Sequence, residues 1–210
     1  MLDIKNNHIF VHIPKTGGTS VEEAFADCGF SKGWVRRRSH WKLSQYKELF
    51  NRDIPSLRKI NYKDMFKWTI VRNPWDKLVS EYCYWRQHPG TCEAYEKMDF
   101  HRFAKIYQDV ESHAYKDISG IDPTHQGDRA HRRPQKFFMT PIYDLDYVVR
   151  FENLQKGVNT VCDKIGIKRK KLPHKLKTKH KHYREYYDDG LAELVAKRFQ
   201  ADISLFGYSF

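Results

Sequence analysis

The run His8-Ile9-Phe10-Val11-His12-Ile13-Pro14-Lys15-Thr16-Gly17-Gly18-Thr19-Ser20 decides the fold. Its first six residues are apolar or histidine, with no turn former among them, and predict a short buried strand. Pro14 and the glycine pair halt that strand, and Val21 to Cys28 reads as helix. Strand, tight glycine loop and helix in succession make an anion cradle, because loop amides line a concavity and the helix N-terminus adds partial positive charge. Gly17 and Gly18 permit close approach and positive φ, Lys15 adds a mobile cation, and Thr19 and Ser20 supply hydroxyl donors or a helix cap. The order of residues departs from the GxxxxGK[ST] loop, in which lysine follows the glycines and a hydroxyl holds magnesium. Here Lys15 comes first, which weakens an ATPase reading.

Outward from this loop, two more β-rich runs stand out: Phe66 to Val71, ending at Arg72-Asn73-Pro74, and Asp146 to Phe151. Helical patterns cover Lys42 to Phe50, Pro74 to Arg86 with the proline in the first turn, Asp99 to Val110, and Leu154 to Ile165. A closing helix from Asp188 to Phe206 carries Leu191, Leu194, Val195, Phe199 and Ile203 on one face. Pro89 to Phe138 is weakly patterned, and its polar stretch from Ile118 to Pro134 reads as a surface loop. No internal repeat is visible. Apolar strands alternating with helices predict a three-layer α/β/α fold with a central parallel sheet, related to the P-loop nucleotide-binding fold. Such sheets bind ligands at the carboxyl ends of their strands, so chemistry is expected in the loops after Ile13, Val71 and Phe151.

Composition sets the remaining bounds. A chain of 210 residues fits one domain, residues 1–210, with enough apolar material for a real core. Its 38 Lys and Arg against 26 Asp and Glu give a net charge of +12, a field that attracts nucleic acid, acidic glycans or phosphate-bearing cofactors. Met1 to Phe10 is not a signal peptide, and no window of about 18 apolar residues occurs, so a soluble cytoplasmic protein without a membrane span is expected. Cys28, Cys83, Cys92 and Cys162 form no CxxC and are expected as free thiols; a Cys83–Cys92 bridge would require a secreted chain.

The second strand ends in Arg72-Asn73-Pro74-Trp75-Asp76-Lys77-Leu78-Val79-Ser80-Glu81-Tyr82. A guanidinium at a strand end grips a phosphate with two parallel hydrogen bonds, and Ser80 can add a third from two turns into the helix. Together, PKTGGTS at residues 14–20 and this RNPxxKxxSxY segment resemble the sulfotransferase superfamily, carbohydrate-type, with its bacterial and Golgi-like members. Arg133-Pro134-Gln135, Arg150-Phe151-Glu152-Asn153 and Asp202 to Tyr208 are also similar to that family, so most of the chain is covered. The resemblance implies transfer of a sulfuryl group from 3′-phosphoadenylyl sulfate (PAPS) to a hydroxyl, leaving 3′,5′-adenosine bisphosphate (PAP). Lys15, Thr16, Gly17, Gly18, Thr19 and Ser20 would then hold the 5′-phosphosulfate, and Arg72 and Ser80 the 3′-phosphate. Lys77 stands where the family often has arginine, which keeps the charge and puts a bidentate role there in doubt.

Sulfuryl transfer needs a base for the acceptor hydroxyl and positive charge at the departing phosphate, and it demands no metal. Lys15 suits the leaving oxygen. His40, in Arg38-Ser39-His40-Trp41, is the preferred base because histidine titrates near neutrality, and the resemblance implies a histidine base between the two motifs in some family members and a glutamate in others. Glu22 and Glu23 are rival bases, although acids in a first helical turn commonly just offset the helix dipole. Arg132, Arg133 and Gln135, with His125 and His131, are candidate contacts to the acceptor or covers for the nucleotide. The basic segment Lys168 to His182, with Lys175, Lys177, Lys179 and His180, can close over phosphate, bind an acidic polymer, or simply be solvated. No histidine spacing meets a zinc partner set. The acceptor is expected to be a glycan, anionic ones included, and no nucleic-acid partner is expected. The competing readings are a kinase-like phosphotransferase and a basic nucleic-acid-binding module; the first should show the Walker order and a magnesium carboxylate, and the second needs no paired phosphate motifs.

Overall fold

The computed structural model describes residues 1–26, 40–87, 97–108, 130–173 and 180–210. Cys28, Cys92, His125, Lys175, Lys177 and Lys179, together with most of the polar loop from Ile118, lie outside the described residues. Strands are β1 (Leu2–Asp3), β2 (His8–Val11), β3 (Phe66–Val71) and β4 (Tyr147–Arg150). Helices among the described residues are α1 (Gly18–Ala24), α2 (Leu43–Phe50), α3 (Pro74–Gln87), α4 (Phe100–Gln108), α5 (Leu154–Lys164), α6 (Asp189–Arg198) and α7 (Gln200–Phe206). The chain divides into two compact units, Met1–Val71 with Gln135–Leu176, and Arg72–Pro134 with Lys177–Phe210.

The first unit holds the sheet, in the order β1-β2-β3-β4. β2, β3 and β4 pair in parallel as expected, with Phe10 opposite Trp68 and Thr69 opposite Val148. β1 adds an antiparallel edge that the sequence pattern did not reveal, because two residues carry no periodicity. Alternation sorts the side chains by face. Phe10, Trp68, Ile70 and Val149 join Val21 and Phe25 from the α1 segment and Val158, Val161 and Cys162 from α5 in one buried cluster. The Phe10 and Trp68 rings lie 4.4 Å apart between centroids. Two polar residues inside strands are explained by their partners. The Lys67 ammonium lies 3.3 Å from Asp146 Oδ2 and also donates to the Met65 carbonyl. Buried His8 accepts from the Trp68 indole at Nδ1 and faces Asp3 with Nε2 at 3.2 Å. Burial pushes the Asp3 carboxyl up, but hydrogen bonds from His8 and Asn6 outweigh it and hold the group below its usual value.

The second unit is built on α3. Asn73 accepts from the Trp75 amide at 3.0 Å and so caps the helix just ahead of Pro74, while its Nδ2 donates to the Ser209 carbonyl at 3.1 Å. Trp75 donates from its indole to the Ala192 carbonyl and receives the Tyr187 hydroxyl on its own carbonyl, which joins α3 to the C-terminal segment. Tyr82 packs against Phe100 and Phe103 of α4. The predicted closing helix is two helices, α6 and α7, because Phe199 leaves helical geometry at φ −106° and ψ 21°. Leu191, Val195 and Phe199 are buried as expected, whereas Leu194, assigned to the same apolar face, is 40% exposed. Cys83 and Cys162 are buried free thiols. No helix among the described residues is long and apolar enough to cross a membrane.

Gly157 sets how closely α5 approaches β4. A Cβ there would lie 2.3 Å from Val149 Cγ1, well inside contact distance. Gly157→Ala should therefore lower stability by ~1–3 kcal/mol through overpacking, against a helix-propensity gain of only ~1 kcal/mol. Urea unfolding checks this, and Val149→Ala in the same chain should restore part of the loss. A more stable Gly157→Ala protein would refute the close contact.

Candidate active site

In the first unit, the loop after β2 has the irregular backbone that an anion cradle needs. Lys15 at φ 64° and Gly17 at φ 84° are both left-handed, so the chain reverses tightly between strand and helix. The Thr16 hydroxyl donates to the Ile13 carbonyl at 2.8 Å and the residue is fully buried, so that hydroxyl is committed to holding the loop. The helix starts at Gly18, three residues earlier than Val21. Gly17 is its N-cap, and its carbonyl accepts from Ser20 at 3.1 Å, which places Thr19 and Ser20 inside the first turn rather than at the cap. Thr19 is exposed, Ser20 is buried and Lys15 is half-buried.

His12 was not singled out from the sequence, and it proves central to this unit. Its Nδ1 lies 2.9 Å from Glu22 Oε1, and because a carboxylate only accepts, Nδ1 carries the proton. The ring stacks on Phe10 at 5.9 Å and fills the space beside Gly18, where a Cβ would meet imidazole atoms at 2.1–2.8 Å. That contact, rather than backbone freedom, is what demands glycine at position 18. His40 packs edge-on against the His12 ring at 4.7 Å, and its own Nδ1 donates to the His12 carbonyl at 3.2 Å. His40 also has a left-handed backbone, φ 66°, which is uncommon for a side chain with a Cβ. Burial pushes the Glu22 carboxyl up, but the hydrogen bond and charge of His12 prevail and leave it below its ordinary value. A carboxylate so stabilised is a poor proton acceptor, which argues against Glu22 as the base; Glu23 is exposed. The sequence signal for the His12–Glu22 pair was the alternation of β2 combined with a helix folding back along it.

In the second unit, Arg72 and Ser80 are both buried, 6% and 5% exposed. Arg72 Nε donates to Asp76 Oδ2 at 2.7 Å, so the first turn of α3 sets the plane of the guanidinium. Lys77 Nζ donates to the His131 carbonyl at 2.9 Å, an ammonium-to-main-chain contact in place of any bidentate grip. Burial pulls Lys77 below its usual value, against the pull of Glu81 and Asp202, and Arg72 adds like-charge repulsion. Fully buried Glu81 receives the His131 Nδ1 proton at 2.9 Å. Lys77 and Glu81, one turn apart, thus hold His131 by its carbonyl and its ring. Of the three residues expected to meet an acceptor, Arg132 is 3% exposed, Arg133 is half-buried, and Gln135, in the first unit, is 1% exposed. In the basic segment Lys168, Arg169 and Lys181 are exposed, and Arg169 makes paired hydrogen bonds to Asp163 at 3.0 and 2.9 Å.

The His12–Glu22 pair carries a defined pH signature. Because the folded-state pKa of Glu22 is depressed, its contribution to stability is present above about 4.5 and is lost as pH falls through the lower folded value. Glu22→Gln should cost ~1–2 kcal/mol near neutrality, in keeping with a charge-assisted hydrogen bond. The gap to the parent protein should close as pH drops below 4.5, the ordinary value for this carboxyl, when followed by urea unfolding. A gap of the same size at pH 7 and at acid pH would show that the Glu22 charge is not what counts.

Among curated proteins, none matches the chain. A family model described as the sulfotransferase family matches residues 1–209, nearly the whole chain and all of the loop, histidine and arginine positions described above. The chain therefore belongs to the sulfotransferase family, enzymes that transfer sulfuryl groups from a sulfate donor to an acceptor.

Proposed function

We propose that this protein, as one catalytic domain over residues 1–210, transfers the sulfuryl group of PAPS to a carbohydrate hydroxyl in the cytoplasm. The observation that carries the proposal is the loop at 14–20, whose left-handed Lys15 and Gly17 turn the chain around a lysine within a sulfotransferase-family sequence. A set of main-chain amides, hydroxyls and a lysine suits the oxygens of a phosphosulfate. We assign Lys15 to Ser20 to the 5′-phosphosulfate, with Thr16 acting through its main chain, and Arg72 and Ser80 to the 3′-phosphate.

In the reaction, the acceptor oxygen forms a bond to sulfur while the bond from sulfur to the 5′-phosphate oxygen breaks and its electron pair stays on that oxygen. Lys15 stabilises the charge that collects there, and PAP departs. His40 takes the acceptor proton. The step calls for no metal. Arg133, the half-exposed member of its group, is assigned to an anionic acceptor, with buried Arg132 and Gln135 supporting their own segments. The kinase reading is less well supported because Lys15 precedes the glycines, and a nucleic-acid module would not require a sulfotransferase-family sequence.

Donor preference tests the two-phosphate assignment, with PAPS and adenylyl sulfate compared at equal low salt over a panel of sugar and phenol acceptors. The parent enzyme should prefer PAPS about a hundredfold, since charge-assisted hydrogen bonds contribute ~1.5–3 kcal/mol each. Arg72→Ala and Ser80→Ala should narrow that ratio; equal loss with both donors would remove them from the 3′-phosphate. Turnover by Lys15→Ala should fall by about a hundredfold or more, and His40→Ala should fall similarly while keeping PAP affinity. Activity within threefold of the parent would exclude the residue concerned. Productive transfer to phenols with none to sugars would overturn the carbohydrate reading.

A further inference from the structure

The proposed base has a left-handed backbone, and three contacts explain how its ring is held. His40 Nδ1 meets the His12 carbonyl at 3.2 Å. A carbonyl oxygen can only accept, so the proton of a neutral His40 ring sits on Nδ1 and the basic lone pair sits on Nε2. The His12 ring fixes the plane of His40 from the side, 4.7 Å between centroids and 65° between planes. The third contact is indirect, through Glu22, which holds His12 Nδ1 at 2.9 Å and so fixes the ring that sets the plane of His40.

Resting on the proposed function, we infer that His12, braced by Glu22, is a positioning residue for the transfer step: its main-chain carbonyl selects the Nδ1–H tautomer of His40, and its side-chain ring keeps the His40 ring on that carbonyl and aims it. The pair touches no reacting atom. Its effect is to make Nε2 the nitrogen that receives the acceptor proton as the oxygen–sulfur bond forms, after which that proton passes to solvent. The wrong tautomer would present a donor to the acceptor hydroxyl and could not take its proton. His12 is suited to this role because it has no latitude of its own. Phe10 stacks on one side, Gly18 lies against the ring, and Glu22 fixes its donor nitrogen.

The test reads the tautomer directly and needs no acceptor. Long-range proton–nitrogen NMR on the full chain with labelled histidine, His40 being assigned by the signals lost in His40→Gln, distinguishes a protonated Nδ1 from a protonated Nε2. In the parent protein the neutral His40 ring should favour Nδ1–H by at least about tenfold. His12→Ala, which keeps the carbonyl but removes the ring that holds His40 on it, and the milder Glu22→Gln should each reduce that ratio at least threefold, while PAP affinity by calorimetry stays within threefold. Glu22→Gln carries the test if His12→Ala fails to fold. An Nε2–H tautomer in the parent, or a ratio unmoved in the folded variants, overturns the inference. So does a loss of PAP affinity beyond tenfold in Glu22→Gln, because the brace would then serve the loop. Failure of the donor reading looks different: the parent protein would not bind PAP, whatever the tautomer.

Discussion

The parallel pairing of β2 with β3 is the constraint from which the rest follows. Phe10 opposite Trp68 sets the register, and burial of both aromatic rings in one cluster makes a slip costly, since a one-residue shift would turn every side chain to the other face. Parallel strands end at the same edge of a sheet. The glycine loop that follows β2 therefore starts at the edge where β3 and β4 also end, the edge at which such sheets bind ligands. The same alternation that buries Phe10 carries His12 onto the α1 face, within reach of Glu22.

Three histidines among the described residues each have a partner that also fixes the orientation of the ring. His8 sits between Trp68 and Asp3, His12 on Glu22, and His131 on Glu81. In each case the partner's chemistry dictates which nitrogen bears the proton. Such pairs are weak evidence for stability, because desolvation offsets much of the attraction, but they restrict geometry closely. For a transfer reaction that restriction matters more than the energy, since a base must present one particular nitrogen.

Much of the fold was legible in the sequence. The β-branched and aromatic runs at 8–11, 66–71 and 147–150 announced their strands, and Asn73-Pro74 announced a helix start through a cap and a fixed φ. The break at Phe199 was not legible, because the apolar spacing continues across it while the backbone turns. β1 was too short to show a period. Of the candidate site, the loop and Arg72 could be proposed from the sequence because their chemistry depends on residue type and order. His12 was not, because a histidine in an apolar run looks like one more strand residue.

By itself the sequence determined the strand–loop–helix order, the glycine loop with its leading lysine, the arginine after the second main strand, and the family. These are local facts, fixed by backbone preference and by which residues adjoin in the chain. Tertiary structure alone decided that His12, Glu22 and His40 meet, that Lys77 holds a carbonyl rather than making a forked grip, and that Gly18 is required by an imidazole. The reason is physical. The three hydrogen bonds among these contacts join residues ten to 54 positions apart, and only the packing of helices and loops onto the sheet brings such groups together.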